Sequence, residues 1–218
     1  MIKALIFDLD GVIVDTAKYH YLAWKELADG LGFEFTKQHN ERLKGVSRMT
    51  SLDILLEIGG LNFEDEVKQR FADNKNKKYV EFITKMTPNE ILPGVINFIE
   101  EAKSKGIKIA LGSASKNAMT ILRQINILKY FDAVIDGTKV SKAKPDPEVF
   151  LKGAEVLGVL PKECIVFEDA EAGIEAAIAG EMYCVGIGSP DVLGNANYVM
   201  KGFENVSFES IISALELS

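Results

Sequence analysis

Cysteine and histidine are scarce in this 218-residue chain, with two of each, and tryptophan occurs once. Cys164 and Cys184 have no metal-ligand or redox spacing and fall inside apolar, strand-like runs, so they read as free buried thiols in a reducing cytosol. His20 and His39 lack zinc spacing. No apolar run approaches the ~18 residues of a membrane span, and the N-terminus enters a core strand with no basic n-region or cleavage site. Positive charge is also in deficit, 25 Lys and Arg against 32 Asp and Glu for a net charge of −7. That balance argues against nucleic acid and anionic membranes as partners, so an anionic substrate must meet a local cationic pocket. There are no repeats and no low-complexity tract. The absence of G-x-x-x-x-G-K-[ST] excludes a P-loop NTPase, and Gly186-Ile-Gly188 lacks the third glycine of a dinucleotide fingerprint. Ser113-x-x-Lys116 matches the S-x-x-K of serine acyl enzymes, but no S-D-N or K-T-G accompanies it. The expectation is a cytoplasmic monomer acting on a small molecule.

The stretch Ala4-Leu-Ile-Phe-Asp8-Leu-Asp10-Gly11 holds the first positive signal. Four apolar residues without helical period read as a strand buried on both faces, and the glycine argues for a turn after it. With side chains alternating at period two, Asp8 and Asp10 project to the same side, their α-carbons roughly 6.5–7 Å apart. Such a pair can share a hard divalent cation with a substrate phosphate, and a carboxylate beside a metal can become an aspartyl-phosphate. An EF-hand is excluded, because the positions that need Gly and Glu hold Ile13 and Tyr19. On spacing alone a strand-capping role is favoured; only later residues overturn it.

From Thr16 the pattern turns helical, with Asp15 or Thr16 as N-cap and His20, Trp24, Leu27 and Leu31 on one face. Helices over 37–44, 50–58 and 64–86 follow without a convincing strand, so 16–91 reads as an all-helical insert. In the long helix, Lys75 falls within an apolar stripe of Val67, Phe71, Tyr79, Phe82 and Met86. It either snorkels to water or points at an anion, and Arg48, in Lys44-Gly45-Val46-Ser47-Arg48, has the same two readings. From Leu92 onwards helices and strands alternate. Strands at 107–112, 133–136, 164–167 and 183–187 and helices from 95, 116–128, 147–157 and 171–179 imply a doubly wound, mostly parallel α/β sheet. The expected division is a Rossmann-like core of 1–15 and 92–218 carrying a helical cap of 16–91.

Ligands of such sheets bind beyond the carboxyl ends of the strands. Polar residues recur there: Asp8 and Asp10, Ser113-Ala-Ser115-Lys116-Asn117, Lys144-Pro145, and Glu168-Asp169. Ser113 and the amides that begin the next helix can donate to a phosphate. Lys144 adds positive charge and Pro145 restricts its backbone, with a cis bond possible. Carboxylates gathered without a cation would repel one another, which disfavours chance loop charge.

The set Asp8-x-Asp10, Ser113, Lys144 and Glu168-Asp169, in this order and spacing, resembles the four motifs of the haloacid dehalogenase superfamily of phosphotransferases. The insert resembles its small cap domain. Within the superfamily the likeness is to the sugar phosphomutases, carried further by Asp15-Thr16, His20, Trp24, Gly45, Val46, Ser47, Arg48, Lys75 and Asn76, and Ser115 to Asn117. It weakens after about Gly188. The resemblance implies that Asp8 is the nucleophile and Asp10 the general acid and base. It implies Mg2+ held by Asp8, the Asp10 carbonyl and Asp169, with Glu168 in or beside its shell, and Ser113 and Lys144 stabilising the transferring phosphoryl group. Arg48, Ser115, Lys116 and Asn117 would grip a second phosphate, and Thr16, His20, Trp24, Gly45, Val46, Ser47, Lys75 and Asn76 would complete the substrate site. The implied reaction interconverts β-D-glucose 1-phosphate and 6-phosphate through a 1,6-bisphosphate. Sugar-phosphate hydrolysis is the alternative and a non-catalytic phosphate-binding regulator a more distant one. Ala170 and Ala143 depart from the usual Ser and Gly or Ser without removing any of these groups.

Overall fold

The computed structural model describes residues 1–43 and 47–217. Its elements, in chain order, are β1 (Ala4–Phe7), α1 (Ala17–Leu31), α2 (Lys37–Glu41), α3 (Arg48–Ile58), α4 (Asp65–Ile83), α5 (Val95–Ser104), β2 (Lys108–Gly112), α6 (Ala118–Gln124), β3 (Ala133–Ile135), α7 (Glu148–Leu157), β4 (Cys164–Glu168), α8 (Glu171–Ala179), β5 (Tyr183–Ile187), α9 (Pro190–Leu193), β6 (Tyr198–Met200) and α10 (Phe208–Ala214). They fall into two compact units, Thr16–Lys85 and the remainder of the chain. Among the described residues no helix is long and apolar enough to cross a membrane.

In the α/β unit, six described strands form one parallel sheet in the order β3-β2-β1-β4-β5-β6. Chain order runs outward from β1 on one side and then on the other, so the topological switch lies at β1 and β4. All four residues of β1 are buried, as their unbroken apolar run demands. The pleat divides its side chains. Ile6 joins Val166, Phe150 and Ile174 in the cluster under α7 and α8. Phe7 stacks on Phe167 of β4 at 4.8 Å between ring centroids, and Phe98 of α5 meets both rings edge-on. Phe203 closes that group at 5.1 Å from Phe98.

The core boundary lies after Lys85 rather than after residue 91. Residues 86–91 belong to the α/β unit through their backbone: the Met86 carbonyl accepts from Gln124 Nε2 at 3.1 Å, and Ile91 forms an antiparallel bridge with Val14. The Leu92 amide adds a hydrogen bond to the Ile13 carbonyl at 2.8 Å.

The helical unit buries Trp24, Ala28, Phe35, Leu52, Leu55, Leu56 and Ala72 in one cluster. Its buried line along α4 is Ala72, Lys75, Tyr79 and Ile83, with Val67, Phe71 and Phe82 only half-buried. Of the helix expected over 37–44, the described residues form Lys37–Glu41, where Thr36 and His39 make a reciprocal capping box, and residue 44 lies outside the described residues. The helix expected over 116–128 is likewise shorter, Ala118–Gln124.

Candidate active site

Every strand end that faces the switch point carries a functional group, and the turn after β1 sets the tightest constraint. Gly11 has φ +76°, and a Cβ there would stand 1.9 Å from Asp169 Oδ2. Glycine is therefore required both for the turn and for the approach of the Asp169 carboxylate. Asp8 Oδ2 accepts the Asp10 amide at 2.9 Å, and Asp8 Oδ1 accepts from Lys144 Nζ at 2.5 Å. Lys144 also donates to Glu168 Oε2 at 2.7 Å, and its ammonium lies 4.7 Å above the centre of the Phe150 ring. The Lys144–Pro145 peptide is cis. Glu168 is 2% exposed and packs against Gly173 of α8, where a Cβ would fall 2.0 Å from its carboxyl carbon.

Asp8, Glu168 and Asp169 each offer an oxygen, and these oxygens lie within 4.8 Å of one another. Burial works against the Lys144 ammonium, yet Asp8 and Glu168 beside it hold its pKa above the ordinary lysine value. Glu168 is displaced upward from the usual carboxylate range, because burial and the charges of Asp8 and Asp169 outweigh the help from Lys144. One ammonium is paired with two of these three clustered carboxyl groups, and a gathering of acidic oxygens of this kind suits a hard divalent cation. The Asp10 side chain is not one of the three; its expected contribution is a carbonyl oxygen.

Ser113, 1% exposed, follows β2 and its amide donates to the Ile135 carbonyl. Its Oγ accepts the Ser115 amide at 3.1 Å, and Ser115 Oγ accepts the Asn117 amide at 3.3 Å. These two turns shape the loop that carries exposed Lys116, and Asn117 takes the N-cap position of α6.

The helical unit gathers a second polar group. Lys75 is 4% exposed, so it does not snorkel. Its Nζ lies 2.9 Å from His20 Nδ1 and 4.5 and 5.1 Å from the ring centres of Trp24 and Tyr79. Burial and the nearby Arg48 charge push the Lys75 pKa down to about 7. Burial, then Lys75 and Arg48, push His20 down to about 3, so its ring is neutral and Nδ1 can accept from the ammonium. Arg48 Nη2 donates to Asn76 Oδ1 at 2.9 Å. Ser47 caps α3 by accepting the Thr50 amide, which sets Arg48 at the first helical position. Thr16, 1% exposed, holds the N-cap position of α1 without a side-chain cap bond. Gly45 and Val46, expected in the substrate site, lie outside the described residues. Tyr79 was legible only as core, although its i+4 spacing from Lys75 places the ring beside the ammonium.

A profile of the haloacid dehalogenase-like hydrolases matches residues 2–180. The chain belongs to that family. It is 43% identical over 209 residues to the β-phosphoglucomutase of Bacillus subtilis, covering 95% of this chain and 92% of the relative. It is 36% identical over 180 residues to a phosphorylated carbohydrates phosphatase of Thermotoga maritima, covering 80% of each. The crystal structure of a β-phosphoglucomutase from Clostridium difficile superposes with a TM-score of 0.90 at 46% identity, covering 99% of this chain and 98% of that one.

Proposed function

We propose that the protein is a Mg2+-dependent β-phosphoglucomutase, exchanging β-D-glucose 1-phosphate and 6-phosphate through a 1,6-bisphosphate. The observation that carries the choice is a second cationic anchor, Lys75 with Arg48, in addition to Lys144. A bisphosphate presents two anions, whereas hydrolysis of a monophosphate needs one. The two β-phosphoglucomutases, at 43% and 46% identity, support the same choice over the phosphatase at 36%.

Asp8, its carboxylate oriented by the Asp10 amide and Lys144, attacks phosphorus; the phosphorus–oxygen bond to the sugar breaks and an aspartyl-phosphate forms. Asp10 gives its proton to the departing sugar oxygen and takes one from the hydroxyl that attacks in the reverse direction. Lys144 and Ser113 counter the charge on the transferring oxygens. Arg48, Ser115, Lys116 and Asn117 hold the phosphate that is not transferred, with Thr16, His20, Trp24, Ser47, Lys75 and Asn76 contributing to substrate binding. Mg2+, held by Asp8, Asp169, the Asp10 carbonyl and Glu168, would neutralise phosphate charge.

The test is an assay with β-glucose 1-phosphate, Mg2+ and catalytic β-glucose 1,6-bisphosphate, following glucose 6-phosphate against free phosphate. Glucose 6-phosphate should dominate; release of phosphate without isomerisation would make the protein a sugar-phosphate phosphatase. Arg48→Ala should damage mutase turnover while sparing phosphoenzyme formation from a small phosphoryl donor. An unchanged mutase rate in that variant would remove Arg48 from the second-phosphate site.

A further inference from the structure

Lys144 stands in the segment between β3 and α7, which contains neither helix nor strand, yet its ammonium sits between two buried carboxylates. Something must hold that segment. Glu148, the first residue of α7, accepts three hydrogen bonds on Oε2: from the Ser141 amide at 2.9 Å, the Ser141 hydroxyl at 2.9 Å and the Lys142 amide at 2.8 Å. Its Oε1 pairs with Lys152 Nζ at 2.6 Å, one turn along the helix, and that ammonium also donates to the Lys139 carbonyl at 2.7 Å. Asp146 completes the connection. Its amide donates to the Ala143 carbonyl and its Oδ1 accepts the Glu148 amide, each at 3.0 Å. The backbone on both sides of Lys144 is thereby fastened to the start of a helix that packs under the sheet.

We propose that Glu148 is a positioning residue for phosphoryl transfer, clamping the Ser141–Lys142 backbone so that Lys144 reaches Asp8 and Glu168 together. Phe150, two residues on, supports the ammonium from beneath. Lysine has four rotatable side-chain bonds, so without a fixed backbone its head would sample positions that leave one carboxylate unpaired. Lys152 and the two loop amides hold the Glu148 pKa well below the ordinary carboxylate range, so the clamp stays ionised throughout the neutral range. An acidic residue at the start of α7 also favours the helix dipole, and that purely structural role is the competing explanation.

The proposal rests on the role given above to Lys144, and a double-mutant cycle in the full-length protein separates the two. Mutase kcat, KM and melting temperature are measured for Glu148→Ala, Glu148→Gln, Lys144→Ala and the double alanine variant. Glu148→Ala should lower kcat about tenfold or more with KM for the sugar phosphate changed less than about threefold. Glu148→Gln, whose amide oxygen still accepts from the loop, should recover most of that loss and serves as the probe where the alanine variant folds poorly. In the Lys144→Ala background, Glu148→Ala should change residual kcat by less than about twofold. Equal losses in both backgrounds, or a lowered melting temperature with unchanged kcat, would reduce Glu148 to a helix-start residue. A wild-type kcat in Lys144→Ala would instead overturn the role of Lys144.

Discussion

Lys75 is kept at a cost to the fold. An unfolded lysine holds its proton up to about pH 10.5, but in the structure burial and Arg48 lower that to about 7. Between these values the unfolded chain binds more protons, so stability rises with pH; the penalty is fully present below pH 7 and fades towards 10.5. Lys75→Met should therefore raise the melting temperature at pH 7, with less gain at pH 10, while reducing mutase turnover. A lower melting temperature at pH 7 would show that the ring contacts outweigh the desolvation. An incoming phosphate would restore the proton, so KM for the sugar phosphate should climb above pH 7 in the wild type and stay flatter in Lys75→Met. Two other residues make sharper demands. Asp8→Asn should abolish turnover, since an amide is no nucleophile, with little change in fold. Gly11→Ala should cost activity through the displaced Asp169 carboxylate, read as a weakened response to added Mg2+.

At the scale of elements, the rings of Phe7, Phe98, Phe167 and Phe203 brace β1 and β4 from the side opposite α7. Phe98→Ala should destabilise the α/β unit by about 3–5 kcal/mol, measured by denaturant unfolding. The strands β1, β2, β4 and β5 were legible because each is a short apolar run with no helical period, and the motif residues at their ends marked the switch point before any topology was known. Tyr198–Met200 was not, being a three-residue edge strand in which only Met200 is buried; α9 and α10 escaped for similar reasons of brevity. Along α4 the expected stripe was displaced. That helix packs against both α1 and α3, so its buried line runs through Ala72, Lys75, Tyr79 and Ile83, leaving Val67, Phe71 and Phe82 half-buried. The Glu148 clamp was not legible, because an acid near a helix start with a lysine one turn on reads as an ordinary surface pair, and its loop partners include two backbone amides that sequence does not report.

For the molecule as a whole, the insertion of a helical unit after the first strand was readable from the switch in pattern, but its end was not. Residues 86–91 contain no regular period and join the α/β unit by backbone bonds, which composition does not report. Replacing 16–85 with a short Gly-Ser linker should leave an α/β unit that unfolds cooperatively and binds divalent ions, yet has lost mutase turnover. A chain that fails to fold would show that the sheet needs the insert.

The bridge between Val14 and Ile91, with the Leu92 amide bonded to Ile13, gives that unit an unusual freedom. The departing and returning segments are tied to each other, so to the sheet everything beyond them is a closed ring. Ring closure depends only weakly on how much chain the ring contains, about 0.6 kcal/mol for each doubling. Helices can be lengthened, exchanged or resequenced beyond the tie without shifting the register of β1. The insert can thus vary in length and sequence while the strand end that carries Asp8 stays in place.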